Sequence, residues 1–231
     1  MMDFEVVEQE TDLWISMELS AYYPGIAQEI RAFAIGLREE LLGYIREDPI
    51  FLTSLEPHQT LPGAPGIAAD MAVATEKAGV GPMAAVAGAF ARDVGRAIHR
   101  KTGCPRLMVE NGGDIYILGQ GPLTVAVYAG SSPLSGKVGI SLEVSGELGV
   151  CTSSGTVGHS LSFGRADAMV VISEDVVIAD AFATAYCNQV QSKDDIGPLL
   201  EQAKLCPDIT GAMVIIGDAL GAWGDLELVS L

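Results

Sequence analysis

The sequence predicts a single α+β domain, with a mostly antiparallel sheet packed against several helices. Helical periodicity dominates the chain up to Arg100, and from Arg106 the period becomes that of strands. No regular strand–helix–strand alternation follows, which argues against a parallel α/β sheet. At 231 residues the chain can bury one sizeable core, and a second independent domain is not expected, so residues 1–231 are read as one unit.

Phe4–Val7 and Leu13–Leu19 alternate around a turn at Gln9–Asp12, the pattern of a hairpin. Pro24 opens a long amphipathic helix in which Ile26, Ile30, Phe33, Leu37, Leu41 and Ile45 recur at three- and four-residue steps until Asp48-Pro49 stops it. Leu52–Gly66 is a loop rich in Pro and Gly. Two helices of small residues follow, Ala68–Ala78 and Pro82–Arg100, the second closed by Gly103. Six short strands are then expected between Gly-rich turns: Leu107–Val109, Ile115–Leu118, Leu123–Tyr128, Gly139–Val144, Gly149–Thr152 and Ala168–Ile172. Val176–Ile178 leads into a helix near Asp180–Val190. A helix at Ile196–Ala203 and strands at Met213–Ile216 and Leu226–Val229 complete the chain.

The chain is 49% hydrophobic but only 6% aromatic, and its 27 glycines favour close backbone packing over a bulky aromatic core. The charge-free stretch Gly79–Ala91 is too short and too rich in Gly and Ala to span a bilayer, so no membrane partner is expected. Met1–Asp12 is acidic and lacks the basic-then-apolar pattern of a leader. Cys104, Cys151, Cys187 and Cys206 form no Cys-x-x-Cys pair and are read as free thiols of a reducing cytoplasm. A net charge of −17 argues against nucleic acid. Arg92, Arg96, Arg100 and Lys101 around His99 have helical spacing and are read as a solvated helix face.

Several catalytic signatures fail. Gly130–Lys137 has one residue too many between its glycines for a phosphate loop, and Val138 stands where a Mg²⁺-binding hydroxyl is needed. Gly79-Val80-Gly81 has no preceding strand, and no Gly-x-Ser-x-Gly or His-Glu-x-x-His occurs. Two segments remain. In Glu110-Asn111-Gly112-Gly113-Asp114 the adjacent glycines permit positive φ or close approach of a ligand, with Asp114 at a strand start; an ordinary Gly-Gly hairpin turn is the simpler alternative. Asp180 and Thr184 lie four apart on one helix face, a carboxylate–hydroxyl pair suited to Mg²⁺; a helix cap and a back-bonded threonine are the simpler alternative.

Taken in order, these segments resemble the ApbE-like family of flavin transferases. The resemblance rests on Ala85–Asp93, Asn111-Gly112-Gly113-Asp114, Thr152-Ser153-Ser154-Gly155, Gly158-His159 and, most specifically, Ala179-Asp180-Ala181-Phe182-Ala183-Thr184-Ala185. It covers roughly residues 68–188. Members of that family use FAD and Mg²⁺ to move FMN onto a protein Thr or Ser by cleaving the FAD diphosphate. The resemblance therefore implies an ApbE-like fold, a flavin nucleotide ligand and an acceptor protein as partner. It implies Asp180, Thr184 and the Ala85 carbonyl as Mg²⁺ ligands. It places Gly112, Gly113, Asp114 and Ser153 beside the nucleotide, with His159 at the diphosphate and His159 and Asp180 in catalysis. The sequence departs from the family where Gly88 replaces a Lys, and where Ser160–Gly164 replaces Asp-Pro-x-Thr-Gly after the His. Two other functions stay open: nucleotide binding without transfer, and a packing or partner-binding module.

Overall fold

The computed structural model describes residues 1–157 and 162–231. Strands β1 (Met2–Glu8) and β2 (Thr11–Met17) form the expected hairpin, turned at Gln9 with φ 55°. Gly25, at φ 100°, leads into helix α1 (Ile26–Glu47), whose Ile26, Ile30, Ala34, Leu37, Leu41 and Ile45 are buried. Pro49 ends that helix and also starts a short one, α2 (Pro49–Thr53), because a proline without an N–H is well placed at a first helical position.

Helix α3 (Gly66–Ala78) matches its pattern. The single helix expected from Pro82 is instead a 3₁₀ turn, Pro82–Ala85, followed by α4 (Val86–Thr102). The break falls at Ala85, whose φ −125° and ψ 13° are not helical. A new helix start here leaves the first amides of α4 without partners inside the helix.

Strands β3 (Leu107–Asn111), β4 (Asp114–Ala126), β5 (Val138–Ser153), β6 (Ala168–Ser173), β7 (Gly211–Ile216) and β8 (Ala219–Gly224) continue the sheet. Among the described residues, β1 to β8 pair in chain order, every neighbour antiparallel, and β9 (Glu227–Ser230) returns to the start of β5. Four of the short strands expected from the sequence are halves of two long ones. Gly119 pairs with Gly146 and Gly121 with Val144 inside the β4–β5 ladder, so these glycines are bends and not turns. Gly121 and Gly146 sit at φ 96° and 102°, which lets the ribbon bend sharply without losing its pairing. Strand β8, Ala-Leu-Gly-Ala-Trp-Gly, has no alternating or β-branched pattern to announce it.

Helices α5 (Val176–Gln189) and α6 (Ile196–Lys204) lie between β6 and β7 in sequence. One core lies between the sheet and the helices, with Ile15, Val109 and Tyr116 meeting Met71, Val94 and Phe182. A second core lies on the opposite face, where Val127, just past β4, and Ile140 and Leu142 in the first half of β5 lie over Val170, Ile172 and Met213. Strand β6 is consequently buried at all six positions.

The basic group on α4 is not a solvated face throughout. Arg92 is buried, its Nη2 2.6 Å from Asp70 and its Nε donating to Asp93 at 2.9 Å. Arg96 bonds both oxygens of Glu147, at 2.6 to 3.1 Å. The four cysteines are free, and among the described residues no helix is long and apolar enough to cross a membrane.

Candidate functional site

Helix α5 begins one turn earlier than its motif suggested, and Asp175 is its cap, accepting the Val177 amide at 2.9 Å. That places Asp180 in the second turn, where it does not cap its own helix. Its Oδ2 instead accepts the Gly88 amide of α4 at 2.8 Å, and the Ala87 amide also favours its charge. Asp180 thus supplies the missing partners of the α4 N-terminus from another element. The two helices touch so closely that a Cβ at position 88 would stand 2.8 Å from both Asp180 Cβ and the Val176 carbonyl oxygen.

The β3–β4 turn meets the same helix end. Asn111 pairs with Asp114, and the two intervening glycines, Gly112 at φ 64° and Gly113 at φ 105°, make the tight turn that other residues resist. Glu110 accepts the Gly113 amide at 2.6 Å, and Asn111 Nδ2 donates to the Ala87 carbonyl at 3.2 Å. Both bonds fix Asp114 close to Asp180.

Asp114 and Asp180 are both about 7% exposed. Asp114 Oδ1 is buried with no hydrogen-bond partner among the described residues. Burial, then the charge of Asp180, pushes the Asp114 carboxyl well above the usual range, partly offset by the Cys151 thiol and Thr152 amide that face it. Burial raises Asp180 to about 7 against the pull of the Gly88 and Ala87 amides. Burial and the two carboxylates push the Cys151 thiol up as well. Thr184, one turn after Asp180, is half-buried. Thr75 and Thr102 bond back to the carbonyl four residues earlier; among the described residues Thr184 makes no such bond.

Asp114, Asp180 and Thr184 face one cavity of about 940 Å³. Gly112, Gly113, Asp114, Ser153, Asp180 and Thr184 line it. Its walls come from both cores: Leu41, Ile45, Met83 and Phe90 on the helix side, and Ile115, Val125, Val150 and Val170 on the other. Ala85 is fully buried and does not reach this wall, whereas Ala87 does. His159 lies outside the described residues. Pattern reading missed Arg38, Glu10 and Tyr128, which also line the cavity. Arg38 sits one step from Leu37 on an amphipathic helix, so its spacing reads as solvent face. Among the described residues no three His, Cys, Asp or Glu side chains converge as a metal cluster. Two carboxylates, one with an orphaned oxygen, and a free hydroxyl are nevertheless hard-oxygen donors that could hold Mg²⁺ together with ligand oxygens.

The elevated carboxyls set a pH dependence of stability. The folded protein binds more protons than the unfolded chain between the unfolded value near 3.8 and the folded value near 7. Stability is therefore full below about pH 4 from this source and falls as pH rises toward 7. Thermal melting in metal-free buffer should show this fall, and Asp180→Asn should flatten it. An unchanged slope in the variant would remove the carboxyl pair as its cause.

The fold and these motifs define an ApbE-like protein. A mutant of the flavin transferase ApbE from Vibrio cholerae superimposes with a TM-score of 0.60, covering 97% of each chain at 14% identity. The apo flavinyl transferase ApbE of Pseudomonas stutzeri gives 0.59 over 96% of this chain and 93% of that one, also at 14% identity. At that identity the likeness shows the fold alone. The chain belongs to the family described as AbpE bacteria, whose sequence model matches residues 2–206. A UPF0280 protein of Methanocella arvoryzae is 44% identical over 196 residues, 84% of this chain and 78% of that protein. A UPF0280 protein of Methanopyrus kandleri is 40% identical over 230 residues, 97% of this chain and 91% of that protein.

Proposed function

We propose that the cavity is a Mg²⁺-dependent site for a flavin nucleotide, and that the protein acts on the diphosphate of FAD. The carrying observation is the buried Asp114–Asp180 pair beside Thr184, with one carboxylate oxygen left without a partner. Four acids line the cavity (Glu10, Glu110, Asp114 and Asp180) against one cation, Arg38, so a diphosphate would be repelled from the acidic end unless a metal ion came with it. Bound Mg²⁺ would neutralise the diphosphate and polarise its phosphoryl oxygens. The chain's own contribution is positioning. The Gly88 and Ala87 amides aim Asp180, Asn111 locks the glycine turn to α4, and the bare Gly112–Gly113 backbone lets phosphate come close.

In transfer, a Thr or Ser hydroxyl of an acceptor protein adds to the FMN phosphorus, and AMP leaves. In hydrolysis, water takes that place and FMN and AMP are released. Incubation with FAD and Mg²⁺, read by chromatography of AMP and by the fluorescence gained when FMN is freed, tests the reading. Metal-dependent AMP release is the expected result. Absence of both AMP release and FAD binding, with any divalent metal, would reject it.

Nucleotide binding without turnover is the second reading, and the contact at position 88 favours it. No side chain fits there, so the lysine implied by the family resemblance has no place at this point. Saturable FAD binding without AMP release would select this second reading.

A further inference from the structure

We propose that Arg38 is the recognition residue for an anionic group, phosphate or carboxylate, on the ligand that enters the helix-side lobe of the cavity. The inference rests on the nucleotide reading for the identity of the ligand, but not for the existence of the anion site. Arg38 projects from α1 into the wall that Leu41, Leu42 and Ile45 continue, and it is the one Lys or Arg among the described residues lining the cavity. Its Nε is buried and has no hydrogen-bond partner among the described residues. A guanidinium cannot shed its charge, so an enclosed N–H without an acceptor is a standing cost that a ligand oxygen would relieve.

The rest of the group is only loosely held. Nη2 donates to Gln9 Oε1 at 3.0 Å and pairs with Glu10, whose side chain is 79% exposed. An ion pair with so exposed a carboxylate contributes little and is readily exchanged. Arg92 and Arg96 differ, since each is committed to carboxylates of the fold. The other charged residues lining the cavity are all acids, so an anionic group gains a cationic partner at this end alone. Phosphate and carboxylate both offer two oxygens in the spacing that the guanidinium edge matches.

The competing account is that Arg38 merely pins the β1–β2 turn to α1 through Gln9 and Glu10. Lysine could keep that link but has no counterpart of Nε, so the conservative variant separates the two. Isothermal titration of the full chain with FAD, pyrophosphate and citrate, with and without Mg²⁺, should be run on wild type, Arg38→Lys, Arg38→Met, Glu10→Gln and Asp180→Asn. The expected result is a loss of affinity of about tenfold or more in both Arg38 variants. Glu10→Gln should bind anions more tightly, because a competitor for the guanidinium is gone. Pyrophosphate against citrate identifies which anion the lobe prefers. Unchanged affinity in Arg38→Met, full retention in Arg38→Lys, or no saturable anion binding by wild type would each overturn the proposal. Loss of Mg²⁺ dependence in Asp180→Asn with no Arg38 effect would leave the nucleotide site standing and remove this one. Arg38-dependent anion binding with no response to FAD would do the reverse.

Discussion

Asp180→Asn is expected to lower Mg²⁺-dependent AMP release from FAD by roughly 100-fold or more, the usual effect of deleting a group that fixes charge at the reacting centre. Asparagine keeps the side-chain shape and an oxygen that can still accept the Gly88 amide, now seen at 2.8 Å from Asp180 Oδ2. The α4 cap therefore survives, and removal of the buried charge should leave melting at neutral pH unchanged or raised. Alanine would lose the cap as well, at about 0.5–2 kcal/mol, so its effects on rate and stability would be mixed. Rate per folded molecule and melting temperature should be taken from one preparation. A variant that melts earlier but turns over normally would reduce Asp180 to a tertiary helix cap.

Gly88→Ala should produce the largest loss of stability. A methyl at this position meets Asp180 Cβ and the Val176 carbonyl, both at 2.8 Å and both fixed by α5, so two helices must separate. Overpacking of this kind costs about 1–3 kcal/mol, a fall in melting temperature of about 2–12 °C for a chain of this size. The same shift carries Asp180, together with Thr184 on the same helix, away from Asp114, so Mg²⁺-dependent stabilisation should weaken with it. A variant that melts like wild type would show that α4 and α5 can part at no cost, and would reopen the position to longer side chains.

Much of this was legible in the residues, for identifiable reasons. Long helices with regular apolar steps, such as α1 and α3, carry their own period. The glycine pair between Asn111 and Asp114 announced a turn that needs positive φ, and the structure uses it so. The order Gly-Gly-Asp, Thr-Ser and Ala-Asp-Ala-x-Ala-Thr pointed to the fold, and these segments now line one cavity. Gly119, Gly121 and Gly146 misled because a glycine that bends a paired ribbon and one that ends it look alike in sequence. The role of Asp180 at the start of α4 was hidden for a different reason: its partner is 92 positions away, and no local spacing encodes such a bond. Arg38 was overlooked because amphipathic periodicity assigns a charged residue to water unless a cavity intervenes.

The distance in sequence between Asp180 and Gly88 also bears on the order of events when the chain folds. The first turn of α4 cannot gain its capping carboxylate until β3 to β6 have been laid down and α5 has docked, and its amides are left to water until then. Closing so long a loop is entropically costly and tends to be deferred. The contact should then be absent from the rate-limiting barrier, and weakening it should accelerate unfolding while leaving the refolding rate nearly untouched. The two carboxylates would meet only in the final stage, so their mutual repulsion falls on the native state and spares the path to it. A divalent cation that relieves this repulsion should act as a brake on opening, lengthening the lifetime of the folded chain without hastening its formation.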